Sequence, residues 1–518
     1  MSFLLMVFLA LICLIPTFPA PLWGGSPGNA ALGTLVAVGL IGLHAFWVAY
    51  RVRVPLAQDP GQRDHILTRY DRWRFVHQIV QFVLYGVALV LVGWGWAVRE
   101  WLTDGARALP GVELLTLAPF LAGQILTWAF FYDADRAAHR AAAQMLDADP
   151  FAHHWLEGRR VAVSPFGSRW SYITFHLRQK LALVLLPVLL LILRQELDRQ
   201  FPHLWDGAPW LVNAVAMLSL VVVIVVMPLL IYLALGLRPL PEGMLRERLL
   251  AATRRLGFRC TNLLVWDTRH GMANAMVIGL VPWLRYVVFT DRLLDEFTEE
   301  EVEAVLGHEV GHIRHHHMLT YLVFLMLSLA GLGALADHFL LPWLGQALAS
   351  LAEKFPVVPK SASEWLGPGG FLSPLPVVVL ILLYIFGVFG FLSRQCERQA
   401  DIFGCRATSC AEQLCPGHSE ETVLPRRGVG LCRTGIHTFI RALDKVAYIN
   451  GISRDRPGFL QSWQHSTIAR RVEFLHGLLR DPAQEAIFQR RLLAIKVALL
   501  LGTSLVLVWL VHAHGWQW

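Results

Sequence analysis

What most constrains this chain is a series of long stretches almost free of charge. Residues 2–19, 31–50, 75–97, 112–131, 175–193, 209–236, 318–341, 371–392 and 492–512 are nine such runs. Most approach the roughly 20 apolar residues that a helix needs to cross a hydrocarbon core. Backbone polar groups inside a bilayer must be satisfied within the protein, which leaves helices or closed barrels. Runs of this length therefore predict a multi-pass α-helical membrane protein. Composition agrees: 16% of the residues are charged, against about 25% in soluble domains.

The fifth run is the weakest, because its uninterrupted core, LALVLLPVLLLIL, is thirteen residues long and contains Pro187. It spans if Arg178 and Lys180 snorkel to the interface. The first run lacks the basic start of a secretory signal, since no Lys or Arg precedes Arg51, and is read as an uncleaved helix.

Lys and Arg counts set the orientation. Loop 51–74 holds six arginines, and loop 132–180 holds six arginines and one lysine. Segments 237–317 and 393–491 are also Arg-rich, whereas loops 20–30, 98–111, 194–208 and 342–370 carry none or two basic residues each. Nine spans put every rich segment on one side, the cytoplasmic side of a bacterial-type inner or plasma membrane. Residues 1–236 then form an N-terminal transmembrane region of about six spans. Residues 237–491 form a hydrophilic domain interrupted by a membrane hairpin (318–341 and 371–392), and residues 492–518 form a last span and tail. The net charge of +7 follows from these loops, and no aromatic–basic interleaving points to nucleic acid.

Chemistry is concentrated in VLGHEVGHIRHHH, residues 305–317. Thr298 followed by Glu301 forms a capping box ahead of an apolar run, so this stretch is helical, with Val302, Val305, Leu306 and Val310 as its buried stripe. His308 and His312 are four apart and project from one face, the spacing needed to share a metal. Glu309 lies beside them, within reach of water at that metal. A catalytic zinc needs a third protein ligand and an open position. SRQCERQADIFG, residues 393–404, offers Glu397 as a ligand and Asp401 to orient a ligand histidine. An ordinary charged helix face would look the same. The short apolar runs 275–280 and 286–290, separated by Val281-Pro282, predict a β-hairpin whose edge an extended peptide can join.

Four stretches taken together resemble the successive motifs of the M48 peptidases. They are NAMVIG (274–279), VVFTDRLLDEFTEEEVEAVLGHEVGHIRHHH (287–317), SRQCERQAD (393–401) and HSTIARRVEFL (465–475). That family includes the heat-shock membrane protease HtpX and the CAAX prenyl proteases. The resemblance covers roughly residues 240–480 and implies a mostly helical, zincin-like catalytic domain with a small β-hairpin or sheet. It implies one catalytic zinc held by His308, His312 and Glu397, with Glu309 as base and Asp401 orienting a ligand. It places Asn274 and Ala275 at a strand edge that meets the substrate backbone, and His465 or Arg471 at the oxyanion. The family usually has His-Pro where this chain has His465-Ser466.

The expected function is hydrolysis of peptide bonds, in membrane or misfolded proteins, at the cytoplasmic membrane face. Its partners are a protein or peptide substrate and the lipid bilayer. A protease of prenylated C-termini is the alternative enzyme; a catalytically inactive scaffold or a transporter is the alternative class. His315, His316 and His317 are read as a solvated helix end at the headgroup level. Cys405, Cys410, Cys415 and Cys432, with His418 nearby, could hold a second, structural zinc or be plain thiols, because their C-x4-C-x4-C spacing is loose for a structural site.

Overall fold

The structure, a computed structural model, describes residues 25–58, 63–104, 107–148, 167–180, 186–201, 225–269, 271–354, 374–409, 431–450, 452–455 and 463–514, with positions 18, 20, 21, 218 and 222. It divides into two compact units, Met1–Leu237 and Arg238–Trp518. Six helical stretches among the described residues are long and apolar enough to cross a membrane: Pro27–Gln58, His65–Leu91, Val112–Ala141, His317–Leu351, Pro376–Ala407 and Ala483–Trp509. The protein is thus a multi-pass helical membrane protein. Most of the expected span 2–19, and parts of 175–193 and 209–236, lie outside the described residues.

In the first unit, α1 (Pro27–Gln58), α2 (Arg63–Gly86), α3 (Trp94–Trp101), α4 (Val112–Ala148), α5 (Arg169–Lys180) and α6 (Leu186–Gln200) follow in order. A seam of small residues lets α1 meet its neighbours: Ala45, Val48, Ala49 and Val52 are buried with Tyr70, Phe131 and Ala134. Small residues at such seams allow close packing where no hydrophobic force separates protein from lipid. The opposite faces of α1 stay apolar, with Leu32 64% and Leu35 68% exposed, as suits lipid contact. The run expected at 75–97 is not one helix. A π-helical turn, Val87–Leu91, follows α2, and Gly93 at φ 87° starts α3, a left-handed conformation that glycine adopts without strain.

The second unit contains a four-stranded sheet of β1 (Arg238–Pro239), β2 (Asn262–Trp266), β3 (Ala275–Ile278) and β4 (Tyr286–Thr290), in the order β1-β2-β4-β3. The expected hairpin is present as β3 and β4, antiparallel with Ala275 opposite Phe289. The sequence reading missed β2, which runs parallel to β4 with Leu264 opposite Val288. The all-apolar run Leu263–Trp266 is too short for its period to tell strand from helix. Helices α7 (Met244–Arg255), α8 (Asp291–Glu296) and α9 (Glu299–Arg314) surround the sheet in sequence. The membrane hairpin follows as α10 (His317–Leu335), α11 (Leu341–Lys354) and α12 (Pro374–Tyr384). The unit closes with α13 (Gly390–Ala407), α14 (Arg433–Ile449), α15 (Ile468–Arg480) and α16 (Ala483–His514).

Helix α9 starts as expected. Thr298 Oγ1 accepts from Glu301 N at 3.3 Å, and Glu301 Oε2 accepts from Thr298 N at 3.0 Å. Val302, Leu306 and Val310 are buried, Val305 half-buried. Glu301 also accepts from Arg441 Nε at 2.6 Å and the buried Lys445 Nζ at 3.2 Å, which fastens α9 to α14. Arg255 bridges Glu303 on α9 and the Ala407 carbonyl at the end of α13.

Helices α9 and α13 cross at glycines. A Cβ on Gly307 would collide with Ala407 Cβ and come within 3.1 Å of Gly404 Cα, and one on Gly404 would lie 3.0 Å from Ala304 O. Neither backbone can yield without parting the helices. Gly307→Ala is therefore expected to lower the thermal midpoint of the metal-free chain in detergent, with a cost of about 1–3 kcal/mol as for other overpacked cores. An unchanged midpoint in differential scanning fluorimetry would show that the crossing is loose.

Candidate active site

The α9–α13 crossing brings histidines and carboxylates together. His308 and His312 lie one turn apart on α9, and Glu397 and Asp401 one turn apart on α13. His308 Nε2 and His312 Nε2 are 3.3 Å apart. Glu397 Oε2 is 3.7 Å from His308 Nε2, and Oε1 is 3.5 Å from His312 Nε2. Among the described residues these three side chains form a group able to hold a metal ion. Tetrahedral zinc with bonds of about 2.0–2.1 Å sets its ligand atoms about 3.3 Å apart, so the spacing and the nitrogen–oxygen donor set fit zinc.

Asp401 is fully buried and accepts a two-point contact from Arg471, Nε to Oδ2 at 2.9 Å and Nη2 to Oδ1 at 2.5 Å. Such a fork fixes both planes. Asp401 Oδ1 also lies 3.0 Å from His308 Nδ1, an electrostatic contact without hydrogen-bond geometry. The sequence reading offered His465 or Arg471 at the oxyanion. The Arg471 fork is instead directed at Asp401, with Nη1 3.8 Å from Glu397 Oε2, and its side chain is nearly enclosed.

His465 lies just before α15, with Nδ1 3.1 Å from Glu397 Oε2 and its side chain 59% exposed. Its turn is held to α13 by Arg394 Nη1, which donates to Trp463 O at 2.6 Å. Ser466 has φ 66°, which proline, locked near −65°, cannot adopt. This turn therefore excludes the proline that the motif usually carries.

Glu309 faces the edge strand β3, where the Val277 N–H donates to its carboxyl. Burial, with the charge of Glu397 adding to it, pushes that carboxyl up to about 7. Burial lowers His312 to about 4, so its ring is neutral and free to bind metal. At His308 burial acts the same way, but the Asp401 and Glu397 carboxylates outweigh it and raise the pKa.

Asn274 N donates to Thr290 Oγ1 at 2.9 Å, and Asn274 O accepts from Thr290 N at 3.0 Å. Asn274 thus turns its backbone toward β4. By the two-residue period of a strand, Ala275 and Val277 turn theirs to the open edge. The Asn274 side chain holds the Ala275 N–H at 3.0 Å. Sequence reasoning missed Asn450, which clamps the neighbouring Ala273 through Ala273 N to Oδ1 at 2.9 Å and Nδ2 to Ala273 O at 2.8 Å. No local signal marks a contact across that distance in the chain.

His317 contradicts its expected place in solvent: it is fully buried. Cys405 and Cys432 are free, buried thiols. Cys432 Sγ accepts from Gly435 N at 3.2 Å and caps α14. Cys410, Cys415 and His418 lie outside the described residues, so a four-cysteine site rests on sequence alone.

Residues 239–417 match the sequence profile of Peptidase family M48. Over this segment the chain is similar to peptidase family M48. A CAAX prenyl protease 1 homolog of Dictyostelium discoideum is 31% identical over 209 residues, 39% of this chain and 45% of that protein. One from Arabidopsis thaliana is 26% identical over 254 residues, 47% and 55% of the two chains. A Protease HtpX homolog of Prosthecochloris aestuarii is 28% identical over 160 residues, 31% and 51%. The chain spans about half the length of these relatives. The crystal structure of S. mikatae Ste24p is loosely similar, with a TM-score of 0.48 and 16% identity over 89% of this chain and all of that one. The matched segment includes β2 to β4, α9 and α13, and so holds His308, Glu309, His312, Glu397 and Asp401. His465 and Arg471 fall beyond it.

Purified chain is expected to hold one zinc per molecule by plasma mass spectrometry after dialysis. His308→Ala, His312→Ala and Glu397→Gln should each release it. Full zinc in Glu397→Gln would remove Glu397 from the ligand set.

Proposed function

We propose that this chain is a membrane-embedded, zinc-dependent endopeptidase. The observation that carries the reading is the convergence of His308, His312 and Glu397 beside Glu309, with Glu309 against the open edge of β3. When bound there, zinc would supply Lewis acidity toward a peptide carbonyl and toward water. Asp401, fixed by Arg471, aims His308. Glu309 takes a proton from the attacking water at its carboxyl oxygen and passes it to the leaving amine nitrogen. A carboxyl raised by burial is matched to both transfers near neutral pH.

The extended substrate lies along β3 and donates to the backbone carbonyls of Ala275 and Val277, which turn away from β4. Asn274 and Asn450 keep that edge straight. His465, at the rim of the donor set, donates to the oxyanion as it forms. Arg471 acts from behind, through Asp401. The Arg-rich segments 237–317 and 393–491 support a site at the cytoplasmic face.

A second reading is favoured by the relatives named CAAX prenyl protease 1: the substrate is a prenylated C-terminus. Casein and a farnesylated CAAX peptide, compared with its unprenylated form, separate the two. Glu309→Gln keeps shape and hydrogen bonding but removes the base. It is expected to keep zinc and lose about 10²–10⁴-fold in turnover. Wild-type turnover in this variant, with zinc bound, would end the peptidase reading.

A further inference from the structure

The run of three histidines after the metal motif has a role that its sequence hides. Helix α9 ends at Arg314, and His316 takes a left-handed conformation, φ 53° and ψ 33°. That bend starts α10 with a ring directed back at the site. His317 Nδ1 lies 3.1 Å from His312 Nδ1. On its other side, His317 Nε2 lies 2.8 Å from Gln399 Oε1 on α13. Lys496 Nζ, on α16, donates to the same Gln399 oxygen at 3.1 Å. The Gln399 amide nitrogen donates to Gln489, also on α16.

With His317 neutral, one arrangement of protons satisfies these contacts. Lys496 can only donate, so it fixes which end of Gln399 is the oxygen. His317 Nε2 must then carry a proton to donate there, which leaves its Nδ1 bare. The bare Nδ1 accepts from His312 Nδ1–H. His312 in turn presents an unprotonated Nε2 toward His308 and Glu397.

We infer that His317 is a positioning residue that fixes the tautomer and ring direction of His312 for metal binding. This rests on the reading of His308, His312 and Glu397 as the metal site. Outer partners of this kind hold a metal-binding imidazole in one tautomer and are commonly a carboxylate, carbonyl or water. Here the partner is a neutral imidazole at the first position of a membrane helix. Gln399, Gln489 and Lys496 tie it to α13 and α16, so the membrane hairpin and the last helix are part of the metal site's framework.

The test uses the full chain in detergent and zinc affinity measured by competition with a chromogenic chelator. In His317→Asn the amide oxygen can occupy the place of Nδ1, while the link to Gln399 is lost. In His317→Gln the amide reaches Gln399 and leaves His312 Nδ1–H without its acceptor. His317→Leu provides neither contact. The Asn variant is expected to hold zinc close to wild type, and the Gln and Leu variants about 10–100-fold more weakly. Thermal midpoints of the three metal-free variants should not follow that order. Equal weakening in Asn and Leu, or wild-type affinity in all three, would overturn the role of His317. A wild type that holds no zinc, or keeps it in His312→Ala, would overturn the site itself. Zinc that is lost in His312→Ala but held alike across the His317 series would overturn the relay alone.

Discussion

The close crossing of α9 and α13 is the constraint on which the rest of the second unit depends. Backbone meets backbone at Gly307 and Gly404 because neither residue has a Cβ. Wider spacing would carry Glu397 and Asp401 away from His308 and His312. The crossing forces two carboxylates and two imidazoles into a buried space, where isolated charge is costly. Arg471 answers that cost by its two contacts to Asp401. Lys445 and Arg441 do the same for Glu301 at the other end of α9. Each buried carboxylate on this helix pair therefore has a partner from a different element, and the partners fasten the helices together.

Much of this was legible because it is periodic or local. His308 and His312, four apart, share a face in any helix, and so do Glu397 and Asp401. Thr298 and Glu301 announce their own helix start. The strands β3 and β4 stood out through the turn between them. What escaped the sequence is what depends on a second segment. Asn450 is an ordinary helix-end residue until Ala273 lies against it. His317 belongs to a run that suggests solvent, and only the bend at His316 and the arrival of Gln399 enclose it. Arg471 was seen, but its partner was not, since the fork on Asp401 joins residues 70 apart in the chain.

The membrane-spanning helices of the first unit follow the same rule of paired polar groups. His77 is buried among them, and its Nε2 donates to Thr127 Oγ1 at 3.0 Å while its Nδ1 lies 2.9 Å from His44 Nδ1. Gln124 donates to Gln81 at 2.6 Å. Polar side chains at such depth are expensive unless they find one another. These pairs explain how runs that look interrupted by histidine and glutamine still serve as spans. They also explain why hydropathy located the helices better than it located their ends.

The proposed hydrolytic site needs water, yet its residues stand beside helices long and apolar enough to cross a membrane. His312 is two residues from the close of α9, and five residues after it α10 begins with His317 and turns apolar. Glu397 and Asp401 lie in the last three turns of a helical stretch whose residues 374–392 carry no charge. The donor set thus lies next to the polar ends of two candidate spans. The same buried hydrogen bonds that aim His312 also hold α10 to α13 and α16. Aligning the metal ligands and packing the membrane hairpin are then one physical event. A chain with its hairpin misplaced would keep the H-E-x-x-H spacing but lose the ring direction that makes it a site.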